Sequence, residues 1–475
     1  MSSPASVHRP LPTVLAAPAI EEMAAEHSLN PPALTPPAAE RLLRARRHSA
    51  GNAGVVASPV RPGLAAVVAP YGSGRHYRDA FASRGWGCVA VIPADEALPS
   101  LYRGSLDPTG YRSVVVHDDN VQATAQALRT VGVTAVVAGT EIGVPLAEQL
   151  AHRLGLPGND PQTSSRRRDK GAMAAALAAA GIAGPRSLST DRLQDALAFA
   201  HSLDTTDVVL KPADSAGSDG VSFCSSPDEI RSAWEKLHLV PNAMGGSNQH
   251  LVIQERLQGV QYVVNSVSTV DSHGAPWHTV TEVWADRRTG THLYDRLDLL
   301  PLQQPIPRRL AQYTERVLDA LGITTGPAHT ELMYVSGRGP MLIESGARPE
   351  GSYDPVAMRE ATGSDHIRDA VHAAVTGDPQ PTAWHGPKST VSKVSLIAPA
   401  AGALDADLLG PLLALPTLRG YVGTLVPGTP VRRTVDLLTS PGRLTLCAHD
   451  PRAIDEDYNA IRAIEAAGLY GEEWR

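Results

Sequence analysis

Two apolar runs, Leu332-Met333-Tyr334-Val335 and Pro340-Met341-Leu342-Ile343, flank the segment Ser336-Gly337-Arg338-Gly339. Short apolar strands separated by a glycine-bearing turn form a β-hairpin. With the turn centred on Gly337-Arg338, Glu331 and Glu344 face each other across the ladder, their Cβ atoms about 4.5–5.5 Å apart on one face. Like charges so placed are destabilising unless a cation lies between them. Hard divalent cations, Mg²⁺ above all, bind through one or two carboxylates plus substrate phosphates. Arg348 lies four residues past Glu344 and shares its face in an extended chain. Two carboxylates and a guanidinium converging in this way point to a metal–nucleotide phosphoryl-transfer site. The competing reading is a solvated hairpin with scattered charges.

At 475 residues the chain exceeds one ordinary core, so several domains are expected. A net charge of −7 leaves no electrostatic footprint for nucleic acid. The basic runs at 41–47 and Arg166-Arg167-Arg168 are short enough to be helix faces or helix entries. Cys88, Cys224 and Cys447 stand alone, without CxxC spacing or histidine-rich neighbours. That argues against a zinc site or disulfide framework and fits a reducing cytosol. No apolar run has the length of a membrane span, and the N-terminus lacks the basic-then-apolar order of a signal peptide. The expectation is a soluble cytoplasmic protein with neither nucleic acid nor membrane as partner.

Residues 1–61 are rich in Pro, Ala and Ser and read as an extension with one helix around 38–47. From residue 62 short apolar strands (64–69, 88–92, 113–117, 135–138) alternate with helical stretches (120–131, 142–154). That alternation implies a parallel sheet with ligands at the carboxyl ends of its strands. The turn Gly72-Ser73-Gly74 lacks both GxGxxG spacing and a Walker lysine, so a tight strand-to-helix turn is the better reading. Glu141 follows a strand at Ala138-Gly139-Thr140. It either faces a ligand crevice or offsets a helix dipole. Beyond residue 165 the pattern becomes α+β, and the chain ends in a β-rich segment closed by a helix at 454–467.

Val208-Val209-Leu210-Lys211-Pro212 reads as a buried strand delivering a lysine directly before the loop Ser215–Gly220. Ser215, Gly217 and Ser218 offer hydroxyl and backbone N–H donors suited to phosphate oxygens. A plain hairpin turn is the alternative there, and the adjacent lysine favours phosphate. Lys170 opens an alanine-rich helix, where a cation and a helix N-terminus together hold an anion, although such a lysine is usually just solvated. Gln254-Glu255-Arg256-Leu257 ends a strand with a change of direction that can present backbone groups to an adenine edge.

The order Lys170, Lys211 with its Gly/Ser loop, Gln254-Glu255-Arg256-Leu257, Glu331 and Glu344-x-Gly346-x-Arg348 resembles the ATP-grasp superfamily. Within it the chain is most similar to carboxylate–amine ligases of the L-amino-acid ligase (bacilysin synthetase) type. The resemblance runs from about residue 65 to the C-terminus. It implies an α/β and α+β multidomain fold: a Rossmann-like domain at 62–165, ATP-grasp lobes at 166–250 and 251–375, and a small β-rich C-terminal domain at 376–475. It further implies that Lys170, Lys211, Ser215, Gly217 and Ser218 meet ATP phosphates, and that Glu255 and Leu257 contact adenine through their main chains. Glu331 and Glu344 would hold Mg²⁺ or Mn²⁺, Arg348 would stabilise the acyl-phosphate and tetrahedral intermediates, and Glu141 would receive a substrate amino group. Arg287 or Arg288 would match a further phosphate-binding residue.

The implied partners are small amino-acid, carboxylate and amine substrates. Relatives of this architecture are often homodimers, and nothing in the sequence sets the assembly state. Gly346 and Gln261 depart from the commoner ATP-grasp pattern, which has Asn and an acidic residue there. Glu350, Ser352 and Tyr353 are expected to set acceptor size. Two rivals to amide formation stand: another ATP-grasp ligase or carboxylase of purine-pathway or biotin-carboxylase-like type, and a nucleotide-binding regulatory protein without turnover.

Overall fold

The run Leu64–Val68 is apolar at every position, which suits a strand covered on both faces. The computed structural model describes residues 62–471 apart from 95–97, 100–101, 103–104, 204, 206, 216, 291–292 and 379–387. The extension at 1–61 and its helix at 38–47 lie outside the described residues. Strand β1 (Leu64–Val68) joins β2 (Gly87–Pro93), β3 (Ser113–His117) and β4 (Ala135–Ala138) in a parallel sheet of order β3–β2–β1–β4. Leu64, Ala66 and Val68 pack with Leu128 and Leu150, whereas Ala65 and Val67 pack with Tyr77 and Phe81. Helices thus cover both faces. Glu141 sits just beyond the carboxyl end of β4, in the short turn of 3-10 helix Glu141–Gly143.

A second sheet holds β5 (Ser187–Thr190), β6 (Val208–Pro212), β7 (Ser222–Cys224) and β8 (Leu251–Glu255), antiparallel in the order β5–β8–β6–β7. The helices Leu193–Ser202 and Pro227–Leu237 cover it, closing a core around Leu210, Ile230, Trp234 and Ile253. This small lobe delivers Lys211 from β6 and the loop that follows.

The third sheet carries the hairpin. Its strands are β9 (Val260–Val270), β10 (Pro276–Thr289), β11 (Leu293–Leu299), β12 (Gly326–Val335) and β13 (Gly339–Gly346), followed by three strands from the C-terminal segment. Of that segment, β14 (Thr390–Ser395), β16 (Leu418–Gly423) and β18 (Gly442–Ala448) extend the same sheet, giving the order β13–β12–β9–β10–β11–β14–β18–β16. Only β15 (Gly402–Ala403) and β17 (Pro430–Val431) pair apart from it. The division expected at residue 376 therefore cuts through a continuous eight-stranded ladder. The C-terminal strands bring their side chains to the same cleft as the hairpin.

Glu331 and Glu344 are paired, as the hairpin pattern predicts, but the turn is not centred where the sequence placed it. Near the tip Val335 faces Gly339 and Leu332 faces Leu342, so the loop is the three residues Ser336-Gly337-Arg338 with Gly337 at positive φ. A bulge between Glu331 and Leu332 leaves Ile343 as the extra residue and restores the register at Glu331–Glu344. Two one-residue shifts cancel at the functional pair.

The basic run at 166–168 does more than enter a helix. Arg167 is fully buried and forks onto Glu148, with Nε–Oε1 at 2.6 Å and Nη2–Oε2 at 2.9 Å. It also donates to the Leu321 and Asp160 carbonyls, pinning the first sheet's helix Val144–Leu154 to the end of the helix Pro305–Leu321.

Candidate active site

The three sheets converge on a cleft of about 310 Å³ lined by Glu141, Gly217, Glu331, Glu344, Arg348 and Arg443 among others. On its hairpin wall, Lys170 Nζ lies 3.1 Å from Glu344 Oε2 and donates to the Ser215 carbonyl at 2.9 Å. The Gln261 amide donates to Glu331 Oε2 at 2.9 Å, and His329 Nε2 lies 3.7 Å from Glu331 Oε1. Gln261, which stands where the commoner pattern has an acidic residue, thus holds the Glu331 carboxylate. Burial works against ionisation of Glu331, yet His329, Arg288 and Arg348 hold its carboxyl well below the usual range. Lys170 is lifted above its ordinary value: burial opposes the charge, and the carboxylates of Glu344 and Glu141 outweigh it.

Among the described residues no group of three or more His, Cys, Asp or Glu side chains converges to hold a metal. The opposed pair Glu331 and Glu344 therefore fits a hard cation whose shell is completed by nucleotide phosphates rather than by protein. A lysine ammonium and an amide N–H contact these carboxylates.

Lys211 ends in the same region, buried and 3.2 Å from Gln254 Oε1. Burial first and the Lys170 charge second push its ammonium down to about 8. After it, Gly217, Ser218 and Gly220 all take positive φ, near +66° to +69°. Ser215 Oγ donates to Asp219 Oδ2 at 2.7 Å, and Ser218 Oγ lies 3.3 Å from the Tyr294 hydroxyl. The loop thus reaches across to the large sheet. Positive φ at Ser218, a residue with a Cβ, is a strained conformation that a moving or ligand-binding loop sustains.

Strand β8 is tied to the hairpin tip. Arg338, read from the sequence as a turn residue only, forks onto Glu255 at 2.8 and 3.1 Å. The Glu255 carboxylate also accepts the Arg186 amide at 2.8 Å, so this side chain is scaffold and only main chain remains for a base. Leu257 follows in the connection between β8 and β9.

At the other end Arg348 Nε donates to Glu141 Oε2 at 2.7 Å. Arg168, which sequence reasoning passed over, donates to the Glu141 carbonyl and lies 3.6 Å from Glu141 Oε1 and 2.7 Å from Asp214 Oδ1. Burial alone would raise the Glu141 carboxyl, but Arg348 and Arg168 hold it below the usual range. Gly346 now has a physical reason. A Cβ there would lie 2.8 Å from Glu141 Oε2, so a side chain at this position would crowd the carboxylate as it is now held by Arg348.

Of the two arginines proposed for phosphate, Arg287 is 60% exposed and pairs with Asp298, whereas Arg288 is 17% exposed. Arg288 binds Asp286 at 2.7 Å and lies 3.4 Å over the Tyr294 ring. Arg288 thus lies against Tyr294, which lines the cleft. The residues after Arg348 divide as well. Ser352 and Glu350 line the cleft, Glu350 held at 2.6 Å by Lys393, but Tyr353 is buried with its hydroxyl donated to Glu282. Tyr353 therefore supports the wall and does not measure a substrate.

The ATP-grasp domain family matches residues 205–353, the stretch carrying Lys211, its loop, strand β8 and both glutamates. A dapdiamide A synthase from Enterobacter agglomerans is 28% identical over 419 residues, covering 84% of this chain and 95% of its own. The chain is an ATP-grasp ligase. An alanine–anticapsin ligase from Bacillus subtilis is 22% identical over 248 residues, covering 49% of the chain and 52% of that protein. The crystal structure of an L-amino acid ligase from Bacillus licheniformis shares the ligase's fold with a TM-score of 0.66 at 17% identity, over 85% of this chain and 98% of that one. ATP and a divalent metal are the general requirements of such enzymes. No helix among the described residues is long and apolar enough to cross a membrane.

Proposed function

We propose that the ligase activates the carboxylate of one amino acid or related small acid with ATP and joins it to the amine of a second amino acid. The product is an amide, most simply a dipeptide of secondary metabolism, with release of ADP and phosphate. The observation that carries this reading is the in-register pair Glu331–Glu344 in one cleft with Arg348 and Glu141. Relatives named as an alanine–anticapsin ligase and a dapdiamide synthase fit it.

Lys170, Lys211 and the loop bearing Ser215, Gly217 and Ser218 hold the phosphates, while the main chain of Glu255 and Leu257 meets the adenine. When bound between Glu331 and Glu344, Mg²⁺ or Mn²⁺ offsets phosphate charge. A carboxylate oxygen of the donor attacks the γ-phosphorus, the bond to ADP breaks, and an acyl phosphate forms. Lys211 and the loop N–H groups are aimed at the charge spread over the transferring phosphoryl. The acceptor nitrogen then attacks the carbonyl carbon, loses a proton, and the C–O bond breaks to release phosphate. Arg348 stabilises the oxyanion of that step. Glu141 takes the donor's ammonium, a replacement for part of its present pairing with Arg348. Loop closure excludes water from the acyl phosphate. Three buried free cysteines suit a cytoplasmic setting.

A phosphate-release screen over pairs of amino acids, with mass spectrometry of the products, tests this. The expected result is amine-dependent phosphate with a product mass equal to the two substrates less water. ATP binding without amine-dependent phosphate release would instead make this a nucleotide-binding regulator.

A further inference from the structure

We propose that Arg443 binds the carboxylate of the amine-donating substrate, making the ligase selective for an amino acid over a simple amine. The inference rests on the ligase reading above and adds a substrate subsite to it. It starts from an inventory of charges on the cleft. Arg348 is matched by Glu141 at 2.7 Å, Lys170 by Glu344 at 3.1 Å, and Arg288 by Asp286 at 2.7 Å. Arg443 has no such match. Its nearest carboxylate oxygen, Glu350 Oε1, stands 3.9 Å from Nη1, beyond hydrogen-bond distance. That oxygen already receives Lys393 Nζ at 2.6 Å, and the other Glu350 oxygen takes the Asn265 amide at 2.9 Å.

The Arg443 side chain is 7% exposed, and its Nε is buried without a hydrogen-bond partner among the described residues. Its guanidinium lies 5.7 Å from the centroid of the Tyr294 ring. An under-satisfied guanidinium in a buried wall is costly unless an anion completes it. Arginine presents a planar fork that meets a carboxylate with two parallel N–H bonds.

The surroundings leave space for that anion. Arg443 sits on β18 opposite Val422 of β16, and Gly423, Ser440 and Gly442 line the cleft beside it. A Cβ on Gly442 would lie 2.7 Å from the Val422 carbonyl, so the two backbones approach closely and present little side chain there. Leu437 and Leu438 add apolar surface for a side chain.

The reactants supply one anion that nothing else receives. The ATP phosphates go to Lys170, Lys211 and the loop, the reacting carboxylate of the donor goes to Arg348 and the metal, and the donor's ammonium goes to Glu141. The remaining formal charge is the carboxylate of the acceptor amino acid. Arg443 is the cleft cation left to take it.

The test compares each L-amino acid as amine donor with its own C-terminal amide, alanine against alaninamide being the first pair, by amine-dependent phosphate release. The parent protein is expected to favour the acid in kcat/KM by about 10- to 100-fold, as a charge-assisted bond should. In R443Q that ratio falls to near one, and in R443K, which keeps the charge and loses the fork, it is intermediate. Because acid and amide are compared on the same preparation, a partly misfolded variant lowers both rates and leaves the ratio readable. If R443Q is insoluble, R443K and the parent ratio carry the test. An acid preference that survives both substitutions, or a parent protein that uses amide as well as acid, overturns the assignment. A rise in the KM of ATP with an unchanged acid-to-amide ratio would also overturn it, giving Arg443 to phosphate. Absence of phosphate release with any amine would take down the ligase reading itself and this subsite with it.

Discussion

Two pairs of glutamates sit on or beside the large sheet, and they are treated differently. Glu331 and Glu344 line the cleft; Gln261 donates to Glu331, which His329 also approaches, and Lys170 pairs with Glu344. Glu282 and Glu350 are almost wholly buried. Glu350 is locked to Lys393, and Glu282 accepts from Tyr353, Trp284 Nε1 and Asn265. The Lys393 ammonium also lies 4.0 Å over the Trp284 ring. One pair is satisfied by partners that a cation and a nucleotide can replace, and the other by partners with nowhere to go. Asn265 joins them, donating to both buried carboxylates and lying 2.9 Å from His329 Nδ1, whose other nitrogen approaches Glu331. A rigid polar cluster thus orients an exchangeable one, as outer-shell groups orient the ligands of metal sites.

The sharpest way to break this contrast is to neutralise one member of each pair. Replacing Glu350 with Gln should leave the Lys393 charge buried and unpaired and cost about 3–5 kcal/mol of stability. Denaturant unfolding reads this directly, and a companion K393M change should recover much of the loss. A parent-like midpoint for E350Q would remove the cluster from the scaffold. Replacing Glu344 with Gln should do the reverse, lowering metal-dependent ADP formation by about 10²–10³-fold while the unfolding midpoint stays close to the parent's. Undiminished turnover would take Glu344 out of the metal site.

Smaller effects refine the link between the pairs. Asn265→Ala should weaken the apparent metal affinity by about 10-fold or more, read from a metal titration of activity. An unchanged titration would mean that the buried cluster does not position Glu331. Glu141→Ala should chiefly raise the KM of the acid-donating substrate, and a fall in kcat alone would move Glu141 from binding to chemistry. Lys211 gives the mildest effect. Held down to about 8 by burial and then by Lys170, its ammonium begins to lose its proton as the pH passes that value. Nucleotide phosphates should restore the charge, so ATP binding takes up protons at about pH 9 and almost none at about pH 6.5. Between its folded and unfolded values the unfolded chain binds more protons, so this residue adds stability as pH rises there. Calorimetry in buffers of different ionisation enthalpy measures the uptake, and its absence at high pH would place Lys211 away from the phosphates.

Legibility followed the same contrast. Strands at 113–117, 135–138 and 208–212 are read to the residue because short apolar runs there are bounded by polar or turn residues, even though Val114 and Val116 of the first are exposed. The strand β11 was invisible, since Asp295, Arg296 and Asp298 interrupt its pattern. Arg296 is buried between Asp298 and Asp455, at 2.6 Å from each, so its charges are internal while resembling a surface. With β11 went Tyr294, which the alternation of Leu293, Asp295 and Leu297 could have flagged. The proposed site residues from Lys170 to Arg348 stand out in the sequence because phosphoryl-transfer chemistry calls for particular residue types in a particular order. Arg168, Asn265, Lys393 and Arg443 do not, because their roles exist only through partners distant in sequence. Gly346 stands out in the sequence only as a departure from Asn, and its closeness to the Glu141 carboxylate appears only in the fold.

The most direct measurement is to follow isotope from the donor into phosphate. An acid substrate found in the phosphate-release screen is labelled with oxygen-18 in both carboxylate positions and turned over with ATP and its amine partner. Activation through an acyl phosphate in this cleft places a single labelled oxygen in each phosphate released. Phosphate free of label at full amide yield would contradict it.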